Sequence, residues 1–164
     1  MHLIDLYRSF QQYEVRYLLC GGLAINMYGI PRSTADMDII LDLREENLRN
    51  FLKSIEAFGY QSSLPISVIQ LADETFRKSL REEKGLVAFS FFSSIFQMIT
   101  LDVLVDLPFP FEDLWKNRTE RNAGETILCL VAVEDLVALK EISNRQQDRM
   151  DIESLKRIFP DRFV

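Results

Sequence analysis

Two aspartates separated by one residue, Asp36 and Asp38, open an apolar segment of the 164-residue chain. On a β-strand, residues i and i+2 point to the same face, so the two carboxylates would project side by side. Like charges at this spacing repel, and one carboxyl would tend to keep its proton unless a divalent cation neutralises the pair. Mg²⁺ is commonly held by one or two carboxylates together with substrate phosphates. The pair therefore predicts a site for a divalent cation and a phosphorylated substrate.

A third carboxylate would complete such a site, and the apolar segment 98–107 offers two candidates. Asp102 lies near the middle of this predicted strand, and Asp106 follows four residues later with the same parity. An acid within an apolar strand costs free energy unless a metal ion or another partner compensates. We favour Asp102 because it is more central, with Asp106 as the second choice. An ion pair with an arginine is the structural alternative for Asp102.

Residues that could contact phosphates precede the acidic pair. Gly21-Gly22 lies between a predicted strand and a predicted helix, where glycines let a phosphate approach the backbone near the positive end of a helix. Arg32, Ser33 and Thr34 lie in the turn just before Asp36 and could contact phosphates or position the loop. The structural alternatives are a tight turn at the glycines and an exposed surface arginine.

Hydrophobic spacing predicts the elements that position these residues. Helical periodicity and helix stop signals predict helices near 3–10, 23–28, 48–55, 111–116, 134–143 and 147–159. Apolar runs predict strands at 17–20, 37–43, 86–92, 98–107 and 126–133, with a hairpin through 92–97. Asp73 to Lys84 could be a helix, while the rest of 61–85 is ambiguous.

The spacing of these elements predicts the α+β class. The strands are too irregularly spaced for a doubly wound parallel sheet, so we expect a small mixed sheet flanked by helices. We find no repeat and no linker, which predicts one domain over 1–164 with the C-terminal helices, about 134–159, packed on the same core.

Composition excludes several classes of function. The net charge of −6 and the pI of about 4.9 argue against unspecific nucleic-acid binding. His2 is the only histidine, which excludes Ser-His-Asp and Cys-His catalysis and makes a zinc site improbable. Cys20 and Cys129 lie in apolar runs and are expected to be buried thiols. We see no membrane-spanning run and no secretion signal, so a cytoplasmic protein is expected.

The segment GGLAINMYGIPRSTADMDI resembles the nucleotidyltransferase superfamily, whose catalytic core is like that of DNA polymerase beta. The family pattern is a diglycine or Gly-Ser, then acid-hydrophobic-acid, and a third acid on a later strand. Here thirteen residues separate Gly22 from Asp36. Many members carry serine at the position of Gly22. The segment is most similar to the bacterial branch associated with toxin–antitoxin and abortive-infection systems, as are Lys140, Arg145, Asp148 and Asp151 in the tail.

This resemblance implies transfer of a nucleoside monophosphate from a nucleoside triphosphate to a hydroxyl acceptor, with release of pyrophosphate. It implies that Asp36, Asp38 and Asp102 hold Mg²⁺ or Mn²⁺ and that Asp102 helps to deprotonate the acceptor. It also implies that the nucleotide is bound by Gly21, Gly22, Arg32, Ser33 and Lys140. The acceptor could be a protein, an RNA end or a small molecule, and no membrane is involved.

Other interpretations of the same residues remain open. Lys140 could extend along an apolar helix face to solvent, and Asp148 and Asp151 are more typical of acids at a helix start. The chain could be a catalytically silent binding or regulatory protein of a two-component, toxin–antitoxin-like system, with a protein partner or as a homo-oligomer. An unrelated α/β interaction domain would require every motif match to be chance.

Overall fold

A seven-stranded mixed sheet forms the centre of the computed structural model, which describes residues 3–95, 99–105 and 107–163. The strand order is β3-β4-β5-β2-β1-β7-β6. The predicted α+β class with a mixed sheet is confirmed. The strands are β1 Tyr17–Leu19, β2 Asp36–Leu41, β3 Tyr60–Ser62, β4 Ala88–Ser93, β5 Thr100–Leu104, β6 Thr119–Ala123 and β7 Thr126–Leu130.

The two strands that carry the predicted acids are neighbours in the middle of the sheet. β2 pairs in parallel with β5, and the register places Asp38 beside Asp102 and Asp36 beside Thr100. On its other edge β2 pairs with β1 in antiparallel orientation, Leu19 opposite Ile39. Met37, Ile39, Ile40 and Leu41 are buried, which fixes the position of β2 in the core.

The remaining strand pairs extend the sheet on both sides. β4 and β5 are antiparallel, as predicted for the hairpin, and β3 pairs with β4. β7 pairs in parallel with β1 and forms a hairpin with β6. Asp106, the second candidate for the third acid, lies outside the described residues. Phe96, in the predicted hairpin connection, also lies outside them.

Helices cover the sheet at positions close to those that the apolar spacing predicts. Leu6, Tyr7 and Phe10 are buried on the first helix, which packs against the third. No helix among the described residues is long and apolar enough to cross a membrane. The helices are α1 Leu3–Gln12, α2 Gly21–Met27, α3 Glu45–Glu56, α4 Glu74–Lys84, α5 Phe111–Asn117, α6 Val133–Ser143 and α7 Gln146–Ile158, with 3-10 turns at Val68–Ala72 and Pro160–Arg162.

Two strands were not predicted, and both lack a hydrophobic signal. β3 has three residues, and only Tyr60 is buried. β6 has the sequence TERNA and forms an edge of the sheet with no fully buried residue. Its pairing with β7 depends on backbone hydrogen bonds, which composition does not reveal.

The last two helices pack on each other and on the core. Asn144, in the left-handed region at φ 48°, separates α6 from α7. Val133, Leu136 and Val137 of α6 and Leu155 of α7 join the buried core. This packing brings Lys140 and the start of α7 beside the acids of β2 and β5.

Candidate active site

Asp38 and Asp102 lie side by side on adjacent parallel strands, which are spaced about 4.8 Å apart. Both line a cavity of about 590 Å³. Oδ1 of Asp102 is buried and has no hydrogen-bond partner in the described part of the chain. The alternative in which Asp102 is paired with an arginine is therefore wrong for these residues. A buried carboxylate oxygen without a donor is poised to meet a cation or a proton.

The charges at this point repel one another. Burial, the carboxylate of Asp102 and then that of Asp36 raise the pKa of Asp38, while Arg145 and the backbone N–H of Gly22 lower it and only partly compensate. Asp36 is exposed at the start of β2 and does not line the cavity. A cation or a proton between these acids would relieve the repulsion.

These residues fit a divalent cation that binds together with a substrate. No group of three acid, cysteine or histidine side chains in the described residues is arranged as a ready metal cluster. Asp38 and Asp102 nevertheless present two neighbouring carboxylates, and Mg²⁺ needs only one or two when phosphates supply further ligands. The two carboxylates leave further coordination positions of such an ion to ligands outside the protein.

The diglycine packs directly against Asp38. Gly21 has φ 61°, and a Cβ atom added there would lie 1.8 Å from Oδ2 of Asp38. Gly21 is thus required by its backbone conformation and by the carboxylate beside it. The phosphate contact expected at the diglycine stays a prediction, and the Asp38 side chain is the protein group nearest to Gly21 on the side of its missing Cβ.

Gly22 faces the turn that precedes β2. A Cβ atom added at Gly22 would lie 2.8 Å from Oγ1 of Thr34 and 3.2 Å from Nη1 of Arg32. The turn is held by Asn26, which accepts from the backbone N–H of Arg32 at 2.7 Å and donates to its carbonyl at 2.9 Å. Thr34 therefore occupies the space that a larger residue at position 22 would need.

Lys140 is buried between α6 and α7. Its Nζ donates to Oδ1 of Asp148 at 3.0 Å and to Oδ2 of Asp151 at 2.6 Å, and its side chain is 5% exposed. Asp151 also accepts from Nη1 of Arg32 at 2.8 Å. The alternative in which Lys140 extends to solvent is wrong, because the ammonium group is enclosed by two carboxylates.

Asp148 is the most heavily bonded carboxylate at this site. It caps α7 by accepting from the backbone N–H of Arg145, and it accepts from Ser143 at 2.6 Å, from Lys140 and from Nε of Arg145 at 2.8 Å. Burial alone would raise the pKa of Asp148, but these hydrogen bonds hold it well below its usual range. Asp148 therefore fits the helix-start interpretation, whereas Asp151 lies a turn later and is buried in ion pairs.

The cavity has one polar side and one apolar side. Asp38, Asp102, Lys140 and Arg145 line the polar side, while Val87 and Ile142, each about 60% exposed, stand on the apolar side. Cys20 also lines it, but burial and the charge of Asp38 raise the pKa of its thiol well above the usual value. Cys20 and Cys129 are free thiols. A neutral buried thiol is a poor nucleophile.

The structure brings together most of the residues that the sequence singled out. Asp38, Asp102, Gly21 and Lys140 line the cavity, while Asp36 is exposed at the start of β2 and Gly22 packs against Thr34. Arg32 lies beside Gly22 and binds Asp151, and Ser33 is exposed and makes no hydrogen bond to these carboxylates among the described residues. Sequence reasoning left Arg145 without a role. The signal that could have indicated a role for Arg145 is its position three residues before the acid Asp148.

A diglycine at a strand end, paired acids on the next strand and a third acid on its parallel neighbour define the class of nucleotidyltransferase folds. Solved structures of that class share this architecture. A lincosamide antibiotic adenylyltransferase, LnuA, with lincomycin bound has a TM-score of 0.62 at 15% identity, covering 96% of this chain and 98% of the other. A Thermotoga maritima protein assigned as a nucleotidyltransferase scores 0.59 at 14% identity, covering 97% and 91%.

The structure of ANT(2")-Ia in complex with adenylyl-2"-tobramycin is similar at a TM-score of 0.55 and 12% identity, covering 99% of this chain and 97% of the other. The model of the AbiEii nucleotidyl transferase toxin family, from type IV toxin–antitoxin systems, matches residues 4–153. The chain belongs to this family. No curated protein matches it by sequence.

Proposed function

We propose that the chain is a metal-dependent nucleotidyltransferase that moves a nucleoside monophosphate from a nucleoside triphosphate to a hydroxyl acceptor. The observation that supports this most directly is the pairing of Asp38 with Asp102, whose Oδ1 is buried and unbonded within the described residues. Membership of a nucleotidyl transferase family supports the same reaction.

Asp38 and Asp102, with Asp36 at the rim, would hold Mg²⁺ or Mn²⁺. Such an ion would neutralise the charge of these carboxylates and supply Lewis-acid activation of a phosphate. Close packing of Gly21 against Asp38, and the hydrogen bond that Asp38 accepts from the backbone N–H of Gly22, keep this carboxylate directed at the cavity. Because the Asp38 carboxylate is already held in position, less reorganisation is required when the metal ion binds.

In the transfer step, the acceptor oxygen attacks the α-phosphorus and forms a new P–O bond. The bond between the α-phosphorus and the oxygen that bridges to the β-phosphate breaks, and pyrophosphate leaves with that electron pair. The proton of the acceptor hydroxyl passes to the carboxylate of Asp102, which lines the cavity. Lys140 and Arg145 provide positive charge beside the phosphates.

The nature of the acceptor is the finer part of this proposal. The lincosamide adenylyltransferase was solved with lincomycin and ANT(2")-Ia with adenylyl-2"-tobramycin, both small molecules, whereas the family model describes a toxin of a type IV toxin–antitoxin system. We propose a cellular acceptor rather than an antibiotic. A type IV system also implies a protein partner that counteracts the toxin. We place this chain with the toxins because its family match spans residues 4–153.

Calorimetric titration with ATP, GTP, CTP and UTP, with and without Mg²⁺, tests the nucleotide site. We expect one or more triphosphates to bind only with Mg²⁺, and Asp38→Asn and Asp102→Asn to abolish that binding. Asp113→Asn is the matched control, because Asp113 is exposed on α5. Absence of binding by the folded wild type would disprove the proposal.

Transfer and toxicity are tested separately from binding. Incubation with α-labelled triphosphate and cell extract should label an acceptor, and bacterial expression should slow growth unless Asp38 is replaced by Asn. Triphosphate binding without transfer or toxicity would favour the catalytically silent, regulatory alternative.

A further inference from the structure

A cluster of three cations and two carboxylates joins the turn before β2 to helices α6 and α7. The cations are Arg32, Lys140 and Arg145, and the carboxylates are Asp148 and Asp151. Three positive and two negative groups leave one positive charge in surplus. A surplus charge within a largely buried cluster is costly unless it reaches solvent or meets an anion.

Only one of the three cations can carry this surplus to the cavity. The side chain of Arg32 is 19% exposed and that of Lys140 is 5% exposed, whereas that of Arg145 is 73% exposed. Arg145 lines the same cavity as Asp38 and Asp102. The surplus charge therefore faces the space beside the two carboxylates.

The Arg145 guanidinium is held along one edge. Nε donates to Oδ2 of Asp148 at 2.8 Å, and Nη2 reaches Oδ1 at 3.4 Å. Nη1 has no hydrogen-bond partner among the residues that the structure describes. A guanidinium fixed by a carboxylate on one edge presents its other N–H groups in a preset plane, which matches two oxygens of a phosphate.

Lys140 supports the orientation of Arg145 indirectly, through Asp148. Its ammonium group is bonded to Asp148 and Asp151, so it is less free to meet a ligand than Arg145 is. By fixing Asp148, Lys140 and Ser143 fix the carboxylate that orients Arg145. The buried residues Lys140 and Asp148 thus hold the guanidinium in place, and the exposed Arg145 is the residue that can contact a ligand.

We propose that Arg145 binds the β- and γ-phosphates of the nucleoside triphosphate, and so the departing pyrophosphate, with Lys140 as a positioning residue that acts through Asp148. This inference rests on the proposed function. The carboxylates of Asp38 and Asp102 would repel a polyphosphate, and a cation directed into the same cavity offsets that repulsion.

The test compares triphosphate and monophosphate binding in the intact protein. Dissociation constants are measured with Mg²⁺ for the triphosphate that the wild type binds and for its monophosphate, by competition, in wild type, Arg145→Ala, Arg145→Lys and Arg149→Ala. Arg149 is the matched control, because it is exposed on α7 and its guanidinium bonds only the side chain of Asn144 among the described residues.

We expect Arg145→Ala to weaken triphosphate binding by about 10- to 100-fold, the size of a lost charge-assisted contact, and monophosphate binding by less than about 3-fold. Arg145→Lys should recover part of the loss, and Arg149→Ala should match the wild type. Equal weakening of both ligands with a lowered melting temperature would show a structural role and overturn the inference. Unchanged triphosphate affinity in Arg145→Ala would overturn it while leaving the proposed function intact, whereas a wild type that binds no triphosphate removes both.

Discussion

Two groups of aspartates lie within one small region of this protein, and their environments are opposite. Asp38 and Asp102 stand next to each other on the sheet, and Oδ1 of Asp102 has no donor among the described residues. Asp148 and Asp151 lie on α7, are more deeply buried, and are bonded to Lys140, Arg145 and Arg32.

The difference separates residues that stabilise the fold from residues prepared for a ligand. The pKa of Asp38 is raised, so the folded protein disfavours its charge, while that of Asp148 is lowered, so the fold favours its charge. Repulsion that is left unrelieved in the free protein can be relieved by a cation and its substrate. Asp148 and Asp151, here called the helix pair, stabilise the structure through their ion pairs. Asp38 and Asp102, here called the strand pair, are left able to bind a cation and its substrate.

Breaking the helix pair should have the largest effect. Lys140→Met leaves Asp148 and Asp151 without the ammonium group, and we expect the free energy of unfolding to fall by about 3 to 5 kcal/mol. Urea denaturation measures it. Lys156→Met is the control, because its pair with Glu141 is exposed and should contribute less than about 1 kcal/mol. Similar losses in both variants would contradict the comparison.

Crowding the strand pair should have the next largest effect. Gly21→Ala places a Cβ atom against Oδ2 of Asp38 at φ 61°, and we expect a loss of about 1 to 3 kcal/mol together with loss of nucleotide binding. Gly124→Ala separates backbone strain from crowding, since Gly124 has φ 66° but open space around it. If both variants unfold at the same urea concentration, crowding against Asp38 does not contribute to the loss of stability in Gly21→Ala.

Neutralising the strand pair should stabilise the free protein while abolishing binding. We expect Asp38→Asn to raise the melting temperature by about 2 to 4 °C, the equivalent of about 1 kcal/mol for a chain of this size. The asparagine oxygen can still accept from the Gly22 N–H. Asp148→Asn should lower the melting temperature. A loss of stability in both variants would erase the distinction between the two groups.

The smallest and most specific effect is the pH dependence of these two asparagine variants. The pKa of Asp148 is below the ordinary value of 3.8, so its stabilisation is present above that value and is lost as pH falls towards the lowered pKa. The pKa of Asp38 is above 3.8, so its destabilisation develops as pH rises from 3.8 through the raised pKa.

Denaturation at pH 7, at about pH 4 and at about pH 2 should therefore separate the two carboxyls. The gain in stability of Asp38→Asn over the wild type should shrink already at about pH 4, whereas the loss in Asp148→Asn should persist at about pH 4 and shrink only towards about pH 2. A pH-independent gain in Asp38→Asn would mean that packing, and not charge, explains its stability.

Sequence spacing predicted much of this site because its parts are local. The parity of Asp36 and Asp38 and the apolar residues of β2 predicted carboxylates on one face of a strand, as the sheet shows. Gly21-Gly22 marked the strand-to-helix turn. The short polar strands β3 and β6 were missed, because their pairing depends on backbone hydrogen bonds to distant segments.

The sequence by itself determined the residue types, the strand that carries the acids and the family pattern, since these follow from near neighbours and side-chain chemistry. Only the tertiary structure decided which charges are paired. It buried Lys140 between Asp148 and Asp151, joined Arg32 to the same cluster across 119 positions, and left Arg145 at the cavity. Pairing depends on distances and burial between remote segments, and no local spacing encodes them.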